Sequence, residues 1–229
     1  MNRIKYFLAS LLIVLGGIFA TFSNSLAQCP PGWIGGSVSA TYEYTSPGSP
    51  SVSFVCKVTI KYCCRYIYAQ NKREVMITQF YGTPFLGIWT NNCPSAIPDW
   101  NDFITWLHMV AGDAASATCP ATSIPPCSEG IKIIEEVTSS RCWKVENNKY
   151  DAAYHDYYWR HDWIACSSEA KCITTYEVCM DYTTSPATIS RKFISRQAIG
   201  TTSCSSEIPD FPDEEEEHWE TECFARNCQ

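Results

Sequence analysis

Signatures of catalysis are missing from this 229-residue chain. There is no G-x-S-x-G, no H-E-x-x-H, no P-loop and no G-x-G-x-x-G. That excludes the familiar routes to an elbow-borne serine, a zincin centre, and a phosphate or dinucleotide cradle. Zinc-finger spacing is absent as well. Cys63 and Cys64 are adjacent, and every other neighbouring pair of cysteines has at least four residues between its members, so no C-x2-C occurs. Histidine is scarce, at four residues. On an extended strand His155 and His161 would stand roughly 20 Å apart at about 3.3 Å per residue, too far to share a metal. The run Glu214–Glu217 lacks the D-x-D-x-D-G frame of a calcium loop and reads as a solvated charge run. No cofactor and no metal is expected. Long apolar runs are also few. Residues 7–20, FLASLLIVLGGIFA, form one of 14 residues, short of the about 20 that span a bilayer.

That run has another use. Arg3 and Lys5 precede it and Ser25-Leu26-Ala27 follow it, which is the form of a signal peptide (1–27) cleaved after Ala27. An alternative is a surface-anchored lipoprotein at Cys29, because Leu26-Ala27-Gln28-Cys29 sets a cysteine where a lipidated one would sit. Gln28 is a poor residue before such a cysteine. Residues 28–229 carry 15 basic and 24 acidic side chains, and nine of the acids lie between Glu207 and Glu222. A nearly neutral body with an acidic tail (207–229) argues against nucleic acid and anionic membrane surfaces as partners.

Fourteen cysteines, all beyond the leader, imply a disulfide framework and an oxidising compartment: secreted, periplasmic or cell-surface. Residues 56–63, CKVTIKYC, raise a geometric question. Seven positions along a strand place Cys56 and Cys63 on opposite faces and roughly 23 Å apart, far beyond the about 7 Å between Cα atoms that a disulfide tolerates. Each must staple a different layer. The pattern recurs at 172–179, CITTYEVC. In both, the leading cysteine shares a face with more apolar neighbours and points toward the core, and the trailing one lies among charged or hydroxyl neighbours. Cys29, Cys56, Cys63 and Cys93 align in order with Cys142, Cys172, Cys179 and Cys204, as Tyr42 does with Tyr154. A tandem duplication of about 65 residues accounts for this.

The expected fold is mostly β: two tandem disulfide-stapled antiparallel β units with one short helix between them. Unit 1 covers 28–97, the helix and a Ser/Thr/Pro-rich connector 98–140, and unit 2, the duplicate, 141–206. Strands are expected at 37–44, 74–81, 131–137, 154–165 and 189–198 besides the two C-x6-C runs. Turns are marked by 46–50, 69–72, 167–170 and 185–186. Asp99 caps a helix whose apolar stripe (Trp100, Phe103, Ile104, Trp106, Leu107, Val110) ends near Gly112. Equivalent closure of both copies predicts Cys29–Cys56 with Cys63–Cys93, and Cys142–Cys172 with Cys179–Cys204. Local spacing adds Cys119–Cys127 and Cys223–Cys228, leaving Cys64–Cys166 to join the copies.

The stretch YHDYYWRHDW, residues 154–163, is the richest in chemistry. As a strand it places His155, Tyr157, Trp159, His161 and Trp163 on one face and Tyr154, Asp156, Tyr158, Arg160 and Asp162 on the other. Cross-strand packing with an Arg160–Asp pair explains it. A binding face built on Tyr157, Trp159, Arg160 and Trp163 explains it too, because exposed Tyr, Trp and Arg are favoured at contact surfaces. That reading requires substantial exposure of Tyr157, Trp159 and Trp163.

CPPGW (Cys29–Trp33) directly after the leader, the C-x6-C strands and CWK (Cys142–Lys144) resemble a loose group of Cys-rich secreted bacterial proteins, short and often duplicated. The resemblance implies export, to a bacterial envelope or beyond, and the fold class; the group has no established activity or site residues to carry over. The expected function is a non-enzymatic structural or binding module whose partner is an extracellular protein or carbohydrate. The rival is a secreted hydrolase using a glycosidase-like carboxylate pair.

Overall fold

The computed structural model describes residues 29–46, 53–82, 93–119, 124–151, 157–166, 169–212 and 217–228. The leader 1–27, the turn centred on 47–50, His155 and the acidic residues 213–216 lie outside them. Among the described residues the protein is mostly β with one α-helix. Strands β1 (Ile34–Thr45), β2 (Ser53–Ile67) and β3 (Lys72–Gly82) form an antiparallel meander. The β2–β3 turn ends on Asn71 at φ 49°, a left-handed position that asparagine tolerates. The remaining strands are β4 (Ile133–Ser140), β5 (Cys142–Asp151), β6 (Tyr157–Ala165), β7 (Lys171–Asp181), β8 (Thr188–Ile199), β9 (Trp219–Glu220) and β10 (Phe224–Ala225).

The far edge of β3 is shared by two partners, so the sheet forks. Residues 72–76 pair in parallel with β4 and open an arm β4-β7-β8. Residues 79–81 pair antiparallel with β6 and open an arm β6-β5 that carries β9 and β10. All ten strands therefore belong to one sheet. The two tandem units expected from the sequence are not separate sheets: β3 pairs with both β4 and β6, the first in parallel, so the strands of both halves run on in one sheet. Strand β5 was not anticipated, because Lys, Glu and Asn dominate it. Its alternation of Trp143, Val145 and Asn147 inward with Lys144, Glu146 and Asn148 outward is nonetheless that of a half-buried strand.

Helix α1 (Trp100–Thr118) packs on β1–β4. Asp99 caps it as expected, accepting from the amides of Asn101 at 3.0 Å and Asp102 at 3.1 Å. It does not end near Gly112. It continues through 113–118, which were expected to be connector. Gly112 is a close-approach residue: a Cβ there would come within 2.6 Å of Glu135 Oε1. The helix residues Phe103, Ile104, Leu107, Ala111 and Ala115 share one apolar cluster with Cys56, Val58, Ile60 and Tyr62 of β2, Phe80 of β3, and Cys172 and Val178 of β7.

All seven expected disulfide pairings (Cys29–Cys56, Cys63–Cys93, Cys142–Cys172, Cys179–Cys204, Cys119–Cys127, Cys223–Cys228 and Cys64–Cys166) are replaced. The bonds are Cys29–Cys63, Cys56–Cys93, Cys64–Cys119, Cys127–Cys179, Cys142–Cys204, Cys166–Cys223 and Cys172–Cys228. Hairpin register is the reason. β1 runs antiparallel to β2 with Gly35 opposite Cys63 and Tyr42 opposite Cys56. A cysteine just ahead of β1 therefore meets the trailing Cys63. β3 returns to bring Gly82 beside Val58, which carries the downstream Cys93 toward the leading Cys56. The same logic holds at β7. Ile133 lies opposite Val178, so the upstream Cys127 meets Cys179, while Ala198 lies opposite Cys172, where Cys228 arrives. Cys127 thus stands where Cys29 does, and Cys142 does not. The inference that the two cysteines of each pair anchor different layers holds: Cys56 and Cys172 belong to the main apolar cluster and Cys63 and Cys179 do not. Because Cys29 is bonded to Cys63, it has no free thiol for a lipid thioether.

Candidate binding site

Strands β5 and β6, with β3 beside them, bring polar and aromatic side chains together on the sheet face away from α1. β5 contributes Lys144, Glu146, Asn148 and Tyr150, β6 contributes Tyr158, Arg160 and Asp162, and β3 contributes Tyr81. The Arg160 guanidinium lies between two rings, 3.5 Å from the Tyr81 centroid and 3.6 Å from that of Tyr150, a cation–π sandwich. Tyr158 stacks on Tyr150 with centroids 5.9 Å apart and planes 27° from parallel. Lys61 of β2 approaches the Tyr81 ring at 5.8 Å.

Asp162, 1% exposed, holds the cluster together. Its Oδ1 accepts from Arg160 Nε and Nη2, each at 2.9 Å, and its Oδ2 accepts from Asn148 Nδ2 at 3.2 Å and from the Tyr150 hydroxyl. Burial, then the hydrogen bond to Asp162, raises the Tyr150 phenol above its ordinary range. Burial lowers the Lys61 ammonium, against the opposing pull of Asp162. Burial would raise the Glu146 carboxyl, but hydrogen bonds from Lys144 and Asn148 outweigh it and hold the group below its usual value. Asn148 Nδ2 also donates to Glu146 Oε2 at 3.2 Å, so Glu146 and Asp162 are bridged by one amide.

Of the four residues singled out in the sequence, the structure places one, Arg160, in this cluster. Arg160 is central but 7% exposed, with its charge spent on Asp162 and the two rings. Trp159 is half-buried. Trp163 is a correction: it is 2% exposed and stacked on Phe80 at 5.5 Å, so it packs the core and presents no ring to a ligand. Tyr157 pairs through its backbone with Asp151, and its side chain lies outside the described residues. Tyr81, Tyr150 and Asn148 were missed. Their signal was the outward alternation of β5 and the return of β3 to β6.

Two serine–histidine contacts exist away from this face. His108 is fully buried, bonded to Ser139 Oγ at 2.9 Å and Thr174 Oγ1 at 2.8 Å, and burial followed by the Arg196 charge pushes it down to about 3. Ser95 Oγ lies 2.9 Å from His161 Nδ1, and burial pushes that imidazole down to about 4. A base so weakened does not activate a hydroxyl at neutral pH. Of the two cavities described, a 640 Å³ one lies between the Cys142–Cys204 and Cys166–Cys223 bonds and holds a single carboxylate, Glu222. The other, of 180 Å³ beside Trp100 and Arg226, holds none. Among the described residues no three His, Cys, Asp or Glu side chains are grouped to hold a metal ion.

These histidines set a pH dependence. Both titrate near 6.5 when free of burial and lower in the folded chain, so the unfolded state takes up the proton first. Folding stability is expected to be complete above pH about 6.5 and to fall as the pH drops toward 4. Urea melts followed by tryptophan fluorescence check this, and stability that is flat from pH 6.5 to 4.5 would contradict the burial of the two rings.

No protein-family model, curated protein or solved structure matches the chain.

Proposed function

We propose that the protein is an exported, non-enzymatic binding module that engages a carbohydrate or an extracellular protein through the outer face of the β6 arm. The observation that carries the reading is the Tyr81–Arg160–Tyr150 sandwich with Tyr158 stacked beside it. These rings are half-buried, and Asp162 fixes Arg160 and Tyr150 between and beside them, so little side-chain entropy would be lost when a ligand packs there. Seven disulfides support export, and no helix among the described residues is long and apolar enough to cross a membrane. The acidic balance supports a partner other than nucleic acid. The matched orders β1-β2-β3 and β4-β7-β8, with disulfides in corresponding places, support a duplication, with the β5-β6 hairpin inserted in the second copy.

A hydrolase is the second reading, favoured by the Glu146–Asp162 proximity. Glycosidases need one carboxyl raised to serve as the acid, and Glu146 is lowered. Neither residue lines a described cavity.

The test is a glycan array and a pull-down with the oxidised protein, followed by titration of any captured ligand. Tyr158→Ala is expected to weaken binding at least about tenfold, or about 1.4 kcal/mol. A ligand whose affinity ignores Tyr158 and Tyr81 would place binding elsewhere. Hydrolysis of the captured glycan that is lost in Glu146→Gln would support the enzyme instead.

A further inference from the structure

Arg226, just past β10, carries a part-buried guanidinium whose charge is unanswered among the described residues. Arg73, Arg160 and Arg191 are each paired with a carboxylate. Arg226 instead lies over the Trp100 ring on the first turn of α1, 4.2 Å from its centroid, a cation–π contact that holds the group in place. Its Nε is shut off from solvent and meets no hydrogen-bond acceptor among the described residues. Burial lowers its pKa from the ordinary arginine range, and no neighbouring acid offsets that. Buried charges are normally paired, so an orphaned donor of this kind points to a missing acceptor.

The group borders the 180 Å³ cavity, which is also lined by Asn101, Ser206, Asn227 and the exposed Ile208. Arg226 is the one cation among the lining residues, and none of them is acidic. The acids closest in sequence are engaged or exposed. Asp99 accepts from the amides of Asn101 and Asp102, Asp102 accepts from the Tyr42 hydroxyl at 2.9 Å, and Glu207 and Asp210 are exposed; none of the four lines the cavity.

We infer that this cavity is a site for a small carboxylate, which accepts from the Arg226 guanidinium while the rest of the ligand lies against Ile208. One guanidinium balances one negative charge, so a carboxylate is matched, whereas a sulfate dianion would bring in a charge with no partner. The site is separate from the Tyr81–Arg160–Tyr150 face and does not depend on it: Trp100 packs against Trp163 at 5.3 Å, on the α1 side of the sheet.

Nitrogen-15 NMR of the arginine Nε–H groups in the oxidised protein, in low-chloride buffer, tests this. The Arg226 signal is the one missing from Arg226→Gln, or from Arg226→Lys if the glutamine variant does not fold. Acetate and glucuronate are each expected to shift that signal saturably, and sulfate at the same ionic strength to leave it in place. Glucuronate binding several-fold more tightly than acetate would make the source an acidic sugar, and equal binding a free organic acid. Acetate is also expected to raise the Tm of the parent and not that of the variant, because binding to the folded state alone stabilises it. An Arg226 signal that ignores both carboxylates, an equal response to sulfate, or a Tm raised equally in parent and variant overturns the inference.

Discussion

Replacing Glu135 by alanine is expected to destabilise the protein by about 3–5 kcal/mol, the cost of leaving a buried charge without its partner. Glu135 of β4 and Arg73 of β3 are register partners at the parallel pairing that joins the two halves of the sheet, and both are fully buried. Arg73 Nε donates to Glu135 Oε2 at 2.6 Å, and Arg191 Nε of β8 donates to Glu135 Oε1 at 2.7 Å. Arg191 also pairs with Asp113 and reaches Ser116 Oγ at 3.2 Å, both on α1. One carboxylate therefore gathers β3, β4, β8 and the helix, and Gly112 makes room for it. Removing it leaves two guanidinium groups facing each other in a low-dielectric space. Truncating Arg73 and Glu135 together, to Met and Leu, is expected to cost well below the sum of the single changes. Guanidinium denaturation of the three variants measures this. A Glu135→Ala cost under about 1 kcal/mol would mean that water reaches the pair.

Trp163→Ala is expected to cost a similar about 3–5 kcal/mol, through lost burial and the cavity left behind. Trp163 lies 5.5 Å from Phe80, 5.3 Å from Trp100, 5.6 Å from Phe224 and 6.1 Å from Phe211. It is where β3, β6, α1 and the C-terminal segment meet. Trp163→Phe should recover much of the loss, since a ring that stacks on Phe80 is retained. Thermal melts check both. Should Trp163→Ala melt like the parent while abolishing ligand capture, the ring would be a contact residue after all.

Trp163 also illustrates what the sequence conveyed. Period-two alternation located most strands, and Asp99 marked the start of the helix, because those signals are local. Within 158–163 the structure keeps Arg160 and Asp162 on one face and His161 and Trp163 on the other, as alternation along a strand requires. Which of the two faces is covered depends on Phe211, Trp219 and Phe224, some 50 residues downstream, and no local pattern reveals that. The acid–aromatic cluster was half legible: Arg160 and Asp162 stood out, whereas Tyr81 and Tyr150 reach it through pairings of β3 and β5 with β6. The disulfides were misassigned for a similar reason. Aligning Cys142 with Cys29 matched order along the chain, while bonding followed hairpin register, in which the upstream cysteine meets the trailing member of each C-x6-C pair.

That register rule is tested most directly by a tryptic map of the unreduced protein. Lys57 and Lys61 allow cleavage between Cys56 and Cys63. The peptide ending at Lys57 holds both Cys29 and Cys56, and the one ending at Lys132 holds Cys93, Cys119 and Cys127. The expected result is that the peptide holding Cys63 and Cys64 stays tied to both through Cys29 and Cys119, and that those two peptides stay tied to each other through Cys56 and Cys93. Recovery of Cys56 bonded to Cys29, with Cys63 bonded to Cys93, would contradict the antiparallel placement of β1 and β3 on β2, and with it the sheet.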